Sequence, residues 1–176
     1  MVFHMFFKFF LSSQTYAKFI GVKIGDGCFI STKNFSSEPY LIEIGDYVRI
    51  AKNVSFFTHG GVWTVRKKYK IDDLDYFGKI KVGDYTYIGD SVILLPGVII
   101  GENCIVGAGS VVTKSIPKDS VVAGNPAVYI TNTNEFVKKI TNFSLLCKNL
   151  NPREKERYLL SQDSDKFIIK PTIKKS

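Results

Sequence analysis

The sequence predicts a mainly β chain wound as a single-stranded parallel β-helix, with one extended loop and a C-terminal helical segment. Three observations carry this expectation. An aliphatic residue returns every six positions, a glycine follows most of these aliphatics, and the rhythm stops after residue 131.

The clearest tract starts at Val82 and continues through Ile88, Leu94, Ile100, Val106 and Val112. Glycine follows at positions 83, 89, 101 and 107, with Leu95 as the departure, and the fifth place of each unit is small or β-branched: Thr86, Val92, Val98, Cys104, Ser110. An earlier tract keeps the same beat at Ile44, Ile50 and Phe56, and a still earlier pair at Ile24 and Ile30. Such self-similarity marks a repeat architecture. A six-residue period fits neither a helix of 3.6 residues per turn nor a long alternating strand. It fits a short strand followed by a tight corner. Three such sides close a coil, and stacked coils bury the aliphatics in one column. The glycines are expected to supply the backbone geometry and close approach of the corners. A sandwich of short strands would need turn signals spaced further apart. The period does not set the hand of the coil, although parallel crossovers are generally right-handed.

The breaks divide the chain. Ile44 and Val82 are 38 residues apart, which is not a multiple of six, so a loop is expected over residues 60–79. It holds the only tryptophan, Trp63, and the basic run Arg66-Lys67-Lys68, read as a solvated face. A smaller irregularity covers residues 31–43, punctuated by Pro39. The expected organisation is an N-terminal apolar segment (1–19), the β-helix (20–130), and a helical cap with a basic tail (131–176) closing the open end of the coil. Within the last part, Phe136, Val137, Ile140 and Phe143 are helically spaced. Asn151-Pro152 reads as the cap and first residue of a second helix, and a loose tail follows from about Lys170. The Phe-rich start lacks a basic leader and a cleavage site, and is too short to span a bilayer. It reads either as a segment docked on the coil or as a peripheral membrane contact.

The chain has 176 residues and a formal net charge of +8, which suits an anionic ligand or surface, but no nucleic-acid motif accompanies it. The cysteines, Cys28, Cys104 and Cys147, are odd in number and widely spaced, forming neither a disulfide framework nor a metal-ligand set; they fit a reducing cytoplasm.

The stretch VGDYTYIGDSVILLPGVIIGENCIVGAGSVVTKSIPKDSVVAGNPA resembles the C-terminal coils of the hexapeptide acyltransferase superfamily. Within it, EPYLIEIGDYVRIAKNVSFFTHGG is similar to the sugar and capsular-polysaccharide O-acetyltransferases, with maltose, galactoside and streptogramin acetyltransferases as relatives. The resemblance covers roughly residues 17–130. It implies a left-handed β-helix, a homotrimer with active sites between subunits, acetyl-CoA as co-substrate, and a sugar or polysaccharide acceptor. It also implies a catalytic His before the extended loop, and His59 stands there. Acyl transfer to a hydroxyl needs a base, which imidazole supplies near neutrality; the other histidine, His4, lies outside any repeat.

For the co-substrate, Gly89, Gly107, Ala108, Thr113, Lys114, Asn125, Pro126 and Ala127 match positions lining the coenzyme A groove in relatives. Asn53, Trp63 and Tyr87 are weaker expectations for the acceptor side. Two departures from the family pattern stand out. Val128 follows Asn125-Pro126-Ala127 where relatives often carry Lys or Arg. Gly60 follows His59 where many carry Asp, which leaves the orientation of the imidazole to another group, such as a backbone carbonyl. Transfer to the nitrogen of an amino-sugar nucleotide and a non-catalytic β-helix remain the alternatives. A carbonic anhydrase of the γ type would need three His around zinc, and two histidines cannot provide them. No metal is expected.

Overall fold

The computed structural model describes residues 7–172. His4, the first six positions of the N-terminal segment and the last four of the tail lie outside the described residues. The chain divides into two compact units, Met1–Thr133 and Asn134–Ser176.

The first unit opens with helical residues 7–10 and a helix α1 (Ser13–Phe19), which Ser12 caps by accepting the Thr15 N–H. Twelve short strands follow: β1 (Lys23–Ile24), β2 (Phe29–Ile30), β3 (Ile42–Ile44), β4 (Arg49–Ile50), β5 (Ser55–Phe56), β6 (Ile80–Val82), β7 (Tyr87–Ile88), β8 (Ile93–Leu94), β9 (Ile99–Ile100), β10 (Ile105–Val106), β11 (Val111–Val112) and β12 (Ser120–Ala123). They form three parallel sheets, ordered β1-β3-β6-β9, β2-β4-β7-β10-β12 and β5-β8-β11. From β3 to β11 the chain visits the sheets in fixed rotation, so each strand pairs with the strand one circuit away.

The regular circuit is 18 residues, as Lys81 pairs with Ile99 and Tyr87 with Ile105. Between β3 and β6 the offset is 38, Ile42 pairing with Ile80. The excess over one circuit equals the length of the loop read at 60–79. From β1 to β3 the offset is 20, Lys23 pairing with Glu43, so the stretch at 31–43 carries two surplus residues.

The sixfold aliphatics point inward. Ile30, Ile44, Ile50, Phe56, Val82, Ile88, Leu94, Ile100, Val106 and Val112 are all buried, as are Val48, Val54, Val92 and Val98 in the fifth places. Each fully buried side chain of this size contributes about 1.5–3 kcal/mol against exposure. Polar residues in the fifth places are satisfied: the Thr86 hydroxyl donates to Gly101 O (3.0 Å), and that of Ser110 to Gly107 O (2.6 Å).

The glycines after the aliphatics do only half of what the sequence suggests. Left-handed backbone falls two residues later, at Tyr47, Asn53, Tyr85, Ser91, Gly97, Asn103 and Gly109. What excludes a side chain at Gly83, Gly89 and Gly101 is the next circuit's backbone: a Cβ on Gly83 would stand 2.5 Å from Glu102 N. The acids that follow tie the corners together, since Asp46 Oδ1 accepts the Asp26 N–H and Asp84 Oδ1 the Asp46 N–H, both at 2.8 Å.

The parallel stack ends at β13 (Val128–Asn132), which turns back antiparallel to β12. The first compact unit runs to Thr133 and so includes β13. Beyond it come α3 (Thr133–Thr141) and α4 (Pro152–Leu160), the latter held by a reciprocal cap between Asn151 and Glu154 with Pro152 in the first turn.

Gly83→Ala should lower unfolding free energy by about 2 kcal/mol, because the methyl meets backbone that cannot step aside. Gly97→Ala, where φ is +85° but the space is open, should cost about 1 kcal/mol. Urea unfolding compares the two; equal losses would show that close approach is not what requires glycine at 83.

Candidate active site

Strand β5 leads through Phe57 and buried Thr58 to His59, at the corner between the third sheet and the first. Register places Gly97 and Ser115 at the same corner one and two circuits later, since Phe56 pairs with Leu94 and Leu94 with Val112. One circuit earlier, Asn34 bridges to Ser55. The same offset of 21 residues brings Glu38 opposite His59.

These two side chains meet. Glu38 Oε2 lies 2.9 Å from His59 Nδ1 and accepts the Thr58 hydroxyl at 2.7 Å. An ionised carboxylate only accepts, so the contact assigns the proton to Nδ1 and leaves the Nε2 lone pair as the available base. The Thr58 hydroxyl, outweighing burial and joined by His59, holds the Glu38 carboxyl below its ordinary value of 4.5. The Glu38 side chain is 17% exposed and that of His59 39%, so the carboxylate is shielded while the ring stays accessible. The imidazole is oriented by this carboxylate and not by a backbone carbonyl.

Sequence reasoning missed Glu38. It stands at the head of the EPY stretch, inside the noted irregularity, and only the 21-residue offset set by the Asn34–Ser55 bridge, one more than the offset between β1 and β3, would have pointed to it.

The inserted loop opens and closes on the same backbone. His59 bridges antiparallel to Phe77, and Gly78 N–H donates to Thr58 O at 2.7 Å. Between these points the chain forms α2 (Trp63–Tyr69), where the sequence indicated only a loop. Arg66 braces this insert, donating to Leu74 O (3.1 Å) and facing Asp75 (3.6 Å); Lys67 and Lys68 are exposed. The Tyr76 hydroxyl occupies the space a Cβ on Gly60 would take. A cavity of about 310 Å³ opens here, walled by Glu38, His59, Trp63, Arg66, Asp75 and Phe77. It joins the expected base to Trp63, and its walls carry three rings, a guanidinium and two carboxylates.

Asn53 and Tyr87 do not line this cavity. Asn53 is an exposed corner residue with φ of +58°, and Tyr87 points outward from the second sheet between Arg49 and Ile105. The residues expected for coenzyme A divide. Ala108, Thr113, Lys114, Asn125 and Pro126 are exposed. The closing turn sits beside β11, where Val111 N–H donates to Gly124 O (3.0 Å) and Ala127 N–H to Val111 O (2.8 Å). Gly89, by contrast, is buried beneath the Ala108 backbone, and a Cβ on Gly107 would meet that of Ala123 at 2.9 Å. Those two glycines serve circuit packing. From His59 the corner runs past Gly97, where nothing would meet a side chain, to Ser115 beside Lys114. At the spacing of adjacent parallel strands this path is about 10 Å long.

The family described as bacterial transferase hexapeptide (six repeats) matches residues 79–114. Protein CapG of Staphylococcus aureus is 45% identical over 147 residues, covering 81% of this chain and 84% of that one. A maltose O-acetyltransferase structure from Clostridium difficile 630 superposes with a TM-score of 0.57 at 26% identity, covering 73% of this chain and 81% of that one. A galactoside acetyltransferase solved in complex with coenzyme A gives 0.56 at 25% identity, covering 77% and 80%.

Glu38→Gln tests the carboxylate through stability. A carboxyl whose folded pKa is depressed contributes stability above its unfolded value and loses it as pH falls through the folded one. The gap in unfolding free energy between wild type and Glu38→Gln should therefore be constant at neutral pH and shrink once pH drops below 4.5. Denaturant titrations over that range check it; a gap that widens on acidification would contradict the assignment.

Proposed function

The chain belongs to the bacterial transferase hexapeptide family and is an acyltransferase, and from that premise we propose that it moves an acetyl group from acetyl-CoA to a sugar hydroxyl. The observation that carries this reading is the Glu38–His59 hydrogen bond at the wall of a cavity sized for a small polar acceptor.

In the reaction, His59 Nε2 takes the proton of the acceptor hydroxyl as its oxygen attacks the thioester carbonyl carbon. Glu38 fixes the tautomer and stabilises the imidazolium that forms. A backbone N–H serves the oxyanion. The tetrahedral intermediate then expels the thiolate, breaking the carbon–sulfur bond, and His59 returns its proton to sulfur. Acetylated sugar and coenzyme A leave, and no covalent enzyme intermediate is needed.

The open corner from His59 past Gly97 supports a path for the thioester arm. Lys114 beyond it meets a phosphate through a charge-assisted contact, and the turn at Asn125, Pro126 and Ala127 borders the groove. Trp63 offers an aromatic face to the acceptor ring. The rest of the reading follows from the resemblance: a left-handed β-helix, a homotrimer with sites between neighbours, and a role in making a surface polysaccharide or its precursor, while the cysteine usage fits a cytoplasmic location. Exposed apolar residues such as Phe29 and Tyr87 on the outward side of the second sheet are what a neighbouring copy would cover.

His59→Ala should lower kcat about a hundredfold or more with acetyl-CoA affinity nearly intact. An unchanged rate would remove it as the base. Lys114→Glu should raise KM for acetyl-CoA about tenfold at constant kcat, the worth of one phosphate contact; an unaltered KM would place the groove elsewhere. An acceptor panel assayed with acetyl-CoA completes the test: turnover on sugar hydroxyls is expected, and turnover confined to amines would reject O-transfer.

A further inference from the structure

We propose that the N-terminal segment forms a surface that seats the protein on an anionic lipid bilayer. Residues 7–19 expose Phe9 (86%), Phe10 (72%) and Phe19 (53%), and Lys8 and Lys18, each next to one of these rings in sequence, are exposed as well. No Asp or Glu occurs before Asp26, so the segment itself carries lysines and no carboxylate side chain.

The segment is held in place. Lys33 Nζ, from the chain between β2 and β3, donates to Lys8 O and Leu11 O, both at 2.6 Å, securing the end of the first helical turns. The Phe7 and Phe19 rings meet at 4.7 Å, and α1 buries Tyr16 and Ala17 in the unit below. The aromatic rings are thus presented outward on a fixed base, and their exposure is a property of the fold.

Aromatic residues interleaved with lysine, without acidic neighbours, match the two parts of a lipid interface: acyl boundary for the rings and anionic headgroups for the ammonium groups. No helix among the described residues is long and apolar enough to cross a membrane, so the contact lies at the interface. A second copy of this chain fits less well. A two-fold contact through the patch would bring each subunit's Lys8 and Lys18 towards those of its partner, and the segment itself has no carboxylate to pair with them.

The test is co-sedimentation of the full chain with vesicles of phosphatidylcholine alone and of phosphatidylcholine carrying about a quarter phosphatidylglycerol. Binding is expected to the mixed vesicles only, reversed at about 0.5 M salt. Phe9→Ser with Phe10→Ser, and separately Lys8→Glu with Lys18→Glu, should each weaken it at least tenfold with unchanged thermal melting. Three results would overturn the proposal: no binding to mixed vesicles, equal binding to neutral ones, or binding unmoved by the Phe substitutions. A fall in sedimentation mass on Phe substitution, without lipid, would assign the patch to a second copy instead. The readout involves no acetyl transfer, so its failure leaves the catalytic reading standing.

Discussion

Close backbone approach between successive circuits is the constraint from which the rest of this structure follows. Parallel strands of two or three residues have few hydrogen bonds each, and they hold only because every circuit stacks on the next with its aliphatics in one column. At Gly83, Gly89 and Gly101 that stacking leaves no room for a methyl group. Any residue beyond the regular 18 must therefore leave the column at a corner and return to the same register. The fold admits insertions only where they cannot disturb the stack.

Two such insertions make the site. The two surplus residues of the first circuit and the 20 of the second both leave between the third sheet and the first, at the same corner. The small one lifts Glu38 to the level of His59. The large one starts after His59, is pinned back by the Phe77 bridge, and walls the cavity with Trp63, Arg66 and Asp75. Imidazole, orienting carboxylate and cavity wall thus come from separate stretches of sequence that share one position on the coil.

This geometry explains what could be read from the residues alone. The aliphatic column was legible because each inward position repeats the same chemical demand, and period alone identifies it. The insert at 60–79 was legible as a lapse of that period. Its helix was not, since Trp63–Tyr69 is too short for periodicity to announce and depends on Arg66 reaching the return arm at Leu74 and Asp75. The reading of Gly83 and its equivalents failed on conformation because left-handed backbone is carried by Tyr47, Asn53, Tyr85 and Ser91, residues whose types gave little sign of it. Glu38 was hidden for a different reason. Its role is set by register across circuits, and a surplus of two residues is easily mistaken for a loose turn.

The source of the orienting carboxylate has a consequence for how the site holds together. A carboxylate beside His59 in sequence would travel with it whatever the neighbouring circuit did. Here the position after His59 is glycine, its side-chain space filled by the Tyr76 hydroxyl, and the carboxylate arrives from the circuit below. The imidazole is therefore oriented only while the first circuit stays stacked on the second. That first circuit is the end of the coil, with strand neighbours on one side alone. End elements open most readily, because fewer contacts must be broken. What secures this end is α1, through buried Tyr16 and Ala17, and the Lys33 ammonium that ties the preceding turns to the stretch leading to Glu38. The N-terminal segment and His59 are thus linked through one short piece of chain, and the Glu38–His59 contact depends on packing at the coil's end as much as on the groups that touch it.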